Sequence, residues 1–127
     1  MGQPLSWIAV AIGAVLGAWL RWGLTIFLSQ LHAHIQLGTL VANVLGGYLI
    51  GLALGFFDTA PALSPAWRLF VITGFLGGLT TFSSFSAESM VLMQRGHYAW
   101  ALAHVAVHLL GSVGCCVAGY ATWRAIA

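Results

Sequence analysis

A chain of 127 residues of which 61% are hydrophobic and 5% charged stands far from soluble domains, where about 25% of residues carry charge. Its formal net charge of +2 rests on four arginines and two acids, too sparse for a nucleic-acid surface or a polybasic lipid patch. A mean hydropathy of +0.97 points instead to one membrane domain over residues 1–127, with four stretches that could each cross a hydrocarbon layer of about 30 Å, a task for about 20 helical residues.

The first stretch, Leu5 to Phe27, is too long for a signal-peptide core and lacks a basic leader, so it is expected to stay in the mature protein. Ala9, Gly13, Gly17 and Arg21 follow one another at four-residue intervals, the kind of small-residue stripe that lets membrane helices approach closely. Arg21 closes that stripe inside the span. An intramembrane arginine costs about 2.5–3.5 kcal/mol on insertion scales and is retained for a pathway, a partner or a site, unless it snorkels to the interface. After the loop "SQLHAHIQ", the second stretch, Leu37 to Phe57, carries Asn43, Gly47, Gly51 and Gly55 at the same spacing.

Beyond "DTAPALSPAW", broken by Pro61 and Pro65, the third stretch runs from Leu69 to Leu92 and contains "GFLGGLTTFSSFSAES" at 74–89. Gly74, Gly77 and Gly78, followed by Thr80 and Thr81, weaken a helix by about 1 kcal/mol per glycine relative to alanine. In lipid a broken helix survives only where the freed backbone groups face protein, water or an ion. The pattern therefore predicts a break near Gly77–Thr81 and a site beside it. Phe82 and Phe85 share a face that Ser86 and Glu88 continue, with Thr81, Ser83 and Ser84 alongside. Ring edges are electropositive, hydroxyls donate one hydrogen bond each, and Asn43 adds an amide. Such groups can replace water around a small anion without a fixed cation to trap it. Spacing alone leaves open that the rings only pack.

The fourth stretch, Tyr98 to Trp123, follows "QRGH" and places His104, His108, Ser112 and Thr122 on roughly one face. Two histidines four residues apart raise the question of a metal, but no third ligand is evident and Val, Ala and Val intervene. A polar lining of a water-accessible path is the other reading. Cys115 and Cys116 are vicinal and point apart on a helix, so they are expected to pack rather than to form a disulfide. Trp7, Trp22, Trp67, Trp100 and Trp123 fall near span ends, where amphipathic rings sit at the headgroup level.

With four spans, the N-terminus, the 58–68 loop and the C-terminus share one side and carry Arg68 and Arg124 against Asp58. The other side carries Arg95, with Arg21 toward it. Orientation normally follows an excess of basic residues on the cytoplasmic side. Here the bias is almost nil, and the chain is expected to insert both ways and pair antiparallel.

"GAVLGAWLRW" at 13–22, "GTLVANVLGGYLIG" at 38–51 and "GFLGGLTTFSSFSAE" at 74–88, in this order, resemble the Fluc (CrcB) family of fluoride channels. The resemblance covers essentially the whole chain, and its third motif is the specific one. It implies an all-α membrane protein working as a dual-topology homodimer of antiparallel subunits in the cell inner membrane, with two fluoride pathways. It implies that Phe82, Phe85 and Asn43 line the anion path, to which the hydroxyls of Thr81, Ser83, Ser84, Ser86 and Ser112, and Arg21 and Glu88, are added as candidates. It implies that the backbone carbonyls of Gly77 and Thr80 of both subunits hold a structural Na⁺, a hard cation suited to oxygen ligands. Two departures stand out. Ser84 replaces a common threonine, and His104 stands where a tyrosine is expected.

The implied function is passive fluoride export that lowers fluoride toxicity, with no enzyme activity and no nucleotide or nucleic-acid partner. The nearest alternative is a small four-span proton-coupled exporter of organic cations. That mechanism wants an acid in the first span, where this chain has Arg21 and no acid. A scaffold subunit would explain the glycine stripes but not a broken helix followed by hydroxyls and rings. An enzyme lacks a converging nucleophile–base pair.

Overall fold

The structure, a computed structural model, describes residues 2–127. Lipid offers the backbone no hydrogen-bond partners, so each apolar stretch closes its bonds internally as helix. Four helical spans long and apolar enough to cross a membrane result: Gly2–Leu28, Leu37–Asp58, Pro65–Gln94 and Tyr98–Ile126. The chain is a multi-pass membrane protein. Leu, Ile, Val and Trp side chains cover its outer surface, as expected where lipid is the solvent.

Caps end the helices slightly beyond the apolar stretches. Ser64 accepts a hydrogen bond from the Ala66 N–H at 3.3 Å, with Pro65 at the first helical position, a favoured start because proline has no N–H to satisfy. At the far end of the same span Gly96, at φ +77°, donates to the Met93 carbonyl while His97 donates to that of Leu92 at 2.8 Å. This is a Schellman closure, which requires a left-handed residue where a side chain is costly. It turns the chain into the fourth span within three residues.

The two small-residue stripes serve different neighbours. Gly13 and Gly17 of the first helix lie against the backbone of Phe70, Phe75 and Leu79 in the third span, whose own Gly74 and Gly78 face Val10 and Ala14. Gly47, Gly51 and Gly55 of the second helix lie against Ser112, Cys116 and Trp123 of the fourth, and Gly119 answers against Tyr48. A Cβ at Gly17 would run into the Phe75 carbonyl, and one at Gly51 into that of Cys116. These are backbone-to-backbone contacts that only glycine permits. Cys115 and Cys116 are unpaired and half-buried. The Tyr48 hydroxyl donates to the Thr122 hydroxyl at 3.0 Å across the second seam, which assigns Thr122 to packing between helices.

The third span is not one rod. After a first turn at Pro65–Arg68 it runs as a π-helix over Leu69–Leu76, with the Gly77 N–H donating to Ile72 five residues back. A last α-turn follows at Gly77–Leu79. Thr80 (φ −87°, ψ 155°) and Thr81 (φ −150°, ψ 119°) are extended, and helix resumes over Phe82–Gln94. The expected break is present, and within the expected segment it falls at the β-branched pair rather than at the glycines. Gly77 and Gly78 stay helical, Gly78 and Gly74 being used for contact with the first helix, and the β-branched pair leaves the helix. The Thr80 hydroxyl donates to the Leu76 carbonyl at 2.8 Å, and its N–H donates to the same oxygen at 3.0 Å, which closes the upper half as it ends.

Candidate functional site

At the break, backbone groups lost to the helix are recovered by side chains. The Asn43 carbonyl accepts from the Thr81 N–H at 2.7 Å, and its amide donates to the Thr81 carbonyl at 3.1 Å. One amide thus satisfies both polar groups of a residue that has no helical partner, as a neighbouring strand would. The Thr81 hydroxyl accepts from the Ser84 N–H at 3.1 Å, the N-cap bond that starts the lower half. From the first helix, Arg21 Nε donates to the Gly78 carbonyl at 3.0 Å. Arg21 therefore neither snorkels free nor lines the groove described next; it holds the last turn before the break. Among the described residues no side-chain, turn or cap donor meets the Gly77 or Thr80 carbonyl.

Asn43 borders a groove of about 590 Å³ together with Thr80, Thr81, Phe82, Phe85, His108 and Ser112, with aliphatic walls from Ile50, Val105 and Leu109. Among the described residues no acid and no arginine borders it. The Phe82 and Phe85 centroids are 5.4 Å apart and the rings are tilted by 56°, so both edges and faces are presented. Phe85 stacks on His104 at 5.2 Å and leans on His108 at 4.9 Å. Phe82 is 79% exposed and borders the open side of the groove. The Asn43 amide also donates to His108 Nδ1 at 3.1 Å. With Thr81 this engages both of its hydrogens, and Ser112 is left as a groove hydroxyl with no recorded bond among the described residues.

A second cavity, of about 260 Å³, opens toward the 29–36 loop and is bordered by His34, Gln36, Glu88, Arg95 and His97. The His34 ring stacks on Trp100 at 4.8 Å and meets His97 edge-on at 4.9 Å. Glu88 is one of its borders, and its Oε2 accepts from the Thr39 hydroxyl at 2.6 Å.

The residues singled out from the sequence thus divide. Asn43, Thr81, Phe82, Phe85 and Ser112 converge on the groove; Glu88 faces the outer cavity; Arg21, Gly77 and Thr80 belong to the break. Ser84 contributes its N–H to the cap. Ser83 and Ser86 are exposed, Ser83 sharing a hydrogen bond with the Thr81 hydroxyl and Ser86 donating to the Phe82 carbonyl. Sequence reasoning missed Thr39, one helical turn before Asn43, and left His104 and His108 without a role. Their four-residue spacing was the available signal, and contact with Phe85 gives it meaning.

A family model described as CrcB-like protein, Camphor Resistance (CrcB), matches residues 8–120. Among curated relatives, a fluoride-specific ion channel FluC of Cupriavidus pinatubonensis is 56% identical over 124 residues, 98% of each chain. One of Nitrosomonas europaea with the same name is 55% identical, covering 96% of this chain and 94% of its own, and one of Pseudomonas putida is 54% identical over 93% of both. Matched over 93–98% of its length by these relatives and over residues 8–120 by the family model, the chain belongs to the CrcB family.

Proposed function

We propose that the chain is a passive fluoride channel of the cell membrane, acting as an antiparallel homodimer. The observation that carries this reading is 56% identity over nearly the whole length to a relative named as a fluoride-specific ion channel. The groove supports it. Fluoride holds its water strongly, so a path must replace that water by several weak donors in series. The electropositive ring edges of Phe82 and Phe85, the Ser112 hydroxyl and the Asn43 amide supply such donors with no full charge among them. Asn43 is already bonded twice, so its share in holding an ion requires loosening its contact with His108. Flow needs no coupling reaction, since a membrane potential drives an anion by about 2.3 kcal/mol per charge for each 100 mV. The reading is that of a channel, not an enzyme.

Two features support the dimer. Basic residues are balanced between the two sides, and the groove is open where the largely exposed Phe82 stands, so a second copy would enclose it. The Gly77 and Thr80 carbonyls, which among the described residues meet no side-chain, turn or cap donor, are hard oxygen ligands that fit an alkali cation. With both subunits contributing, they would hold a structural Na⁺, whose charge would offset the bare carbonyls at the two breaks.

The test is anion efflux from liposomes carrying the purified protein, followed with fluoride and chloride electrodes under an imposed potential. Rapid fluoride loss with chloride retained is expected. Equal leakage of both ions, or loss of neither, overturns the reading.

A further inference from the structure

His104 and His108 stand one turn apart on the fourth helix, and Glu88 faces them from the lower half of the third span. One ligand atom from each lies within 4.8 Å of the other two. His104 Nε2 is 3.7 Å from Glu88 Oε1, and the imidazole centroids are 4.4 Å apart. The two histidines are 1% and 4% exposed, and among the described residues His104 Nδ1, His108 Nε2 and Glu88 Oε1 meet no hydrogen-bond partner. A buried polar group left unpaired costs about 1–3 kcal/mol, so His108 Nε2 and Glu88 Oε1 call for an occupant, to which His104 would add its Nε2, now 3.4 Å from the Phe85 carbonyl.

Two imidazoles and one carboxylate are the donor set of a zinc centre that keeps a fourth position open. Tetrahedral bonds of about 2.0–2.1 Å set ligand atoms about 3.3 Å apart, which the trio reaches by small side-chain rotations from its present spacing. The Thr39 hydroxyl already binds Oε2 of Glu88, which orients the carboxylate and leaves Oε1 for a metal, the outer-sphere support such ligands need.

We propose that Glu88, His104 and His108 form a binding site for a divalent transition-metal ion of borderline softness, with Zn²⁺ as the reference, and that its occupancy blocks the pathway. Glu88 borders the outer cavity and His108 the groove, so the trio stands between the two, and the outer cavity is the metal's way in. An ion held there would offer its open position to a hard anion and stop it. The block rests on the channel reading; binding of the metal does not. Binding at His108 Nε2 moves the ring proton to Nδ1, where it faces the Asn43 amide hydrogens, and His104 Nδ1 has no acceptor for its own. Each missing outer-sphere partner weakens a metal by about 10–100-fold, which makes the site a reversible, regulatory one.

The full-length protein in detergent is titrated with Co²⁺, whose visible absorption reports imidazole and carboxylate ligation, and the Co²⁺ is then displaced with Zn²⁺. A spectrum that Zn²⁺ abolishes is expected. His108→Ser and His104→Phe should each weaken Zn²⁺ by at least about tenfold, the loss that even an outer-sphere partner causes, whereas His32→Ala, His34→Ala and His97→Ala combined should bind as the unaltered protein does. No spectrum, or binding that survives the first two changes and disappears with the last three, overturns the site. In liposomes, Zn²⁺ should slow fluoride efflux reversibly with EDTA, and His108→Ser, compared with its own metal-free rate, should not respond. Binding without slowing overturns the block alone. Absence of any flux overturns the channel reading, while the Co²⁺ spectrum still decides the site.

Discussion

The seam between the second and fourth helices and the junction at Thr80–Thr81 both bring backbone close to backbone without water, by opposite means. Along the seam every helical bond is kept, and Gly47, Gly51 and Gly119 let the axes approach until carbonyls of one helix touch the other. At the junction the helical bonds are given up, and Asn43, Thr81 and Arg21 replace them with side-chain bonds of 2.7–3.1 Å. The seam tolerates no added atom, and the Tyr48 hydroxyl within it is already spent on Thr122. The junction is held by groups that could exchange partners with an ion. The contrast explains why polar chemistry gathers at the break, although glycines are spread along every span.

The sharpest way to break the comparison is to add atoms to the seams. Gly17→Val and Gly51→Val would drive a Cβ into backbone; overpacking of that kind typically costs about 1–3 kcal/mol and more where the backbone cannot move. Both should prevent recovery of monodisperse protein after detergent extraction. Gly23→Ala and Gly114→Ala, where a Cβ meets nothing within 4 Å, should extract normally, and equal damage from all four would dissolve the distinction. Next, Asn43→Ala leaves the Thr81 N–H and carbonyl unpaired, at about 1–3 kcal/mol for each group, and should lower both thermal stability in detergent and fluoride flux. Asn43→Ser, which keeps one donor, should fall between. Arg21→Met removes a charge-assisted bond of about 1.5–3 kcal/mol and should lower stability while leaving the groove lining in place; Arg21→Lys should restore only part. The smallest effect belongs to Tyr48→Phe, which deletes one neutral bond in the seam, about 0.5–1.5 kcal/mol, with flux unchanged.

Much of this was legible in the sequence because a membrane simplifies the problem. Uninterrupted apolar length dictates a span, although it placed the third at Leu69 to Leu92, and the caps at Ser64–Pro65 and Gly96 carry that helix on to Pro65–Gln94. The break was legible too, but for an incomplete reason. Glycines weaken isolated helices, yet in this span Gly74 and Gly78 are positions of contact with the first helix, and the chain departs two residues later at a threonine pair. Seeing that requires knowing which face meets a neighbour. The π-helical stretch at Leu69–Leu76 left no mark in the residue pattern, since its apolar residues suit either winding. His104 and His108 looked like a metal pair without a third ligand because Glu88 reaches them only once the second half of the broken span packs against the fourth helix. Convergence across helices is set by tertiary packing, and spacing along one helix cannot announce it.

If the groove at the break is the route of the ion, the rings that border it must matter for flow and not for assembly. Fluoride efflux per milligram of reconstituted protein, measured for Phe82→Ile and Phe85→Ile beside the unaltered chain, tests this directly. The account predicts that each variant extracts and elutes like the parent while its efflux drops toward the leak of protein-free liposomes. Undiminished efflux in both would contradict it and reduce the two phenylalanines to packing residues.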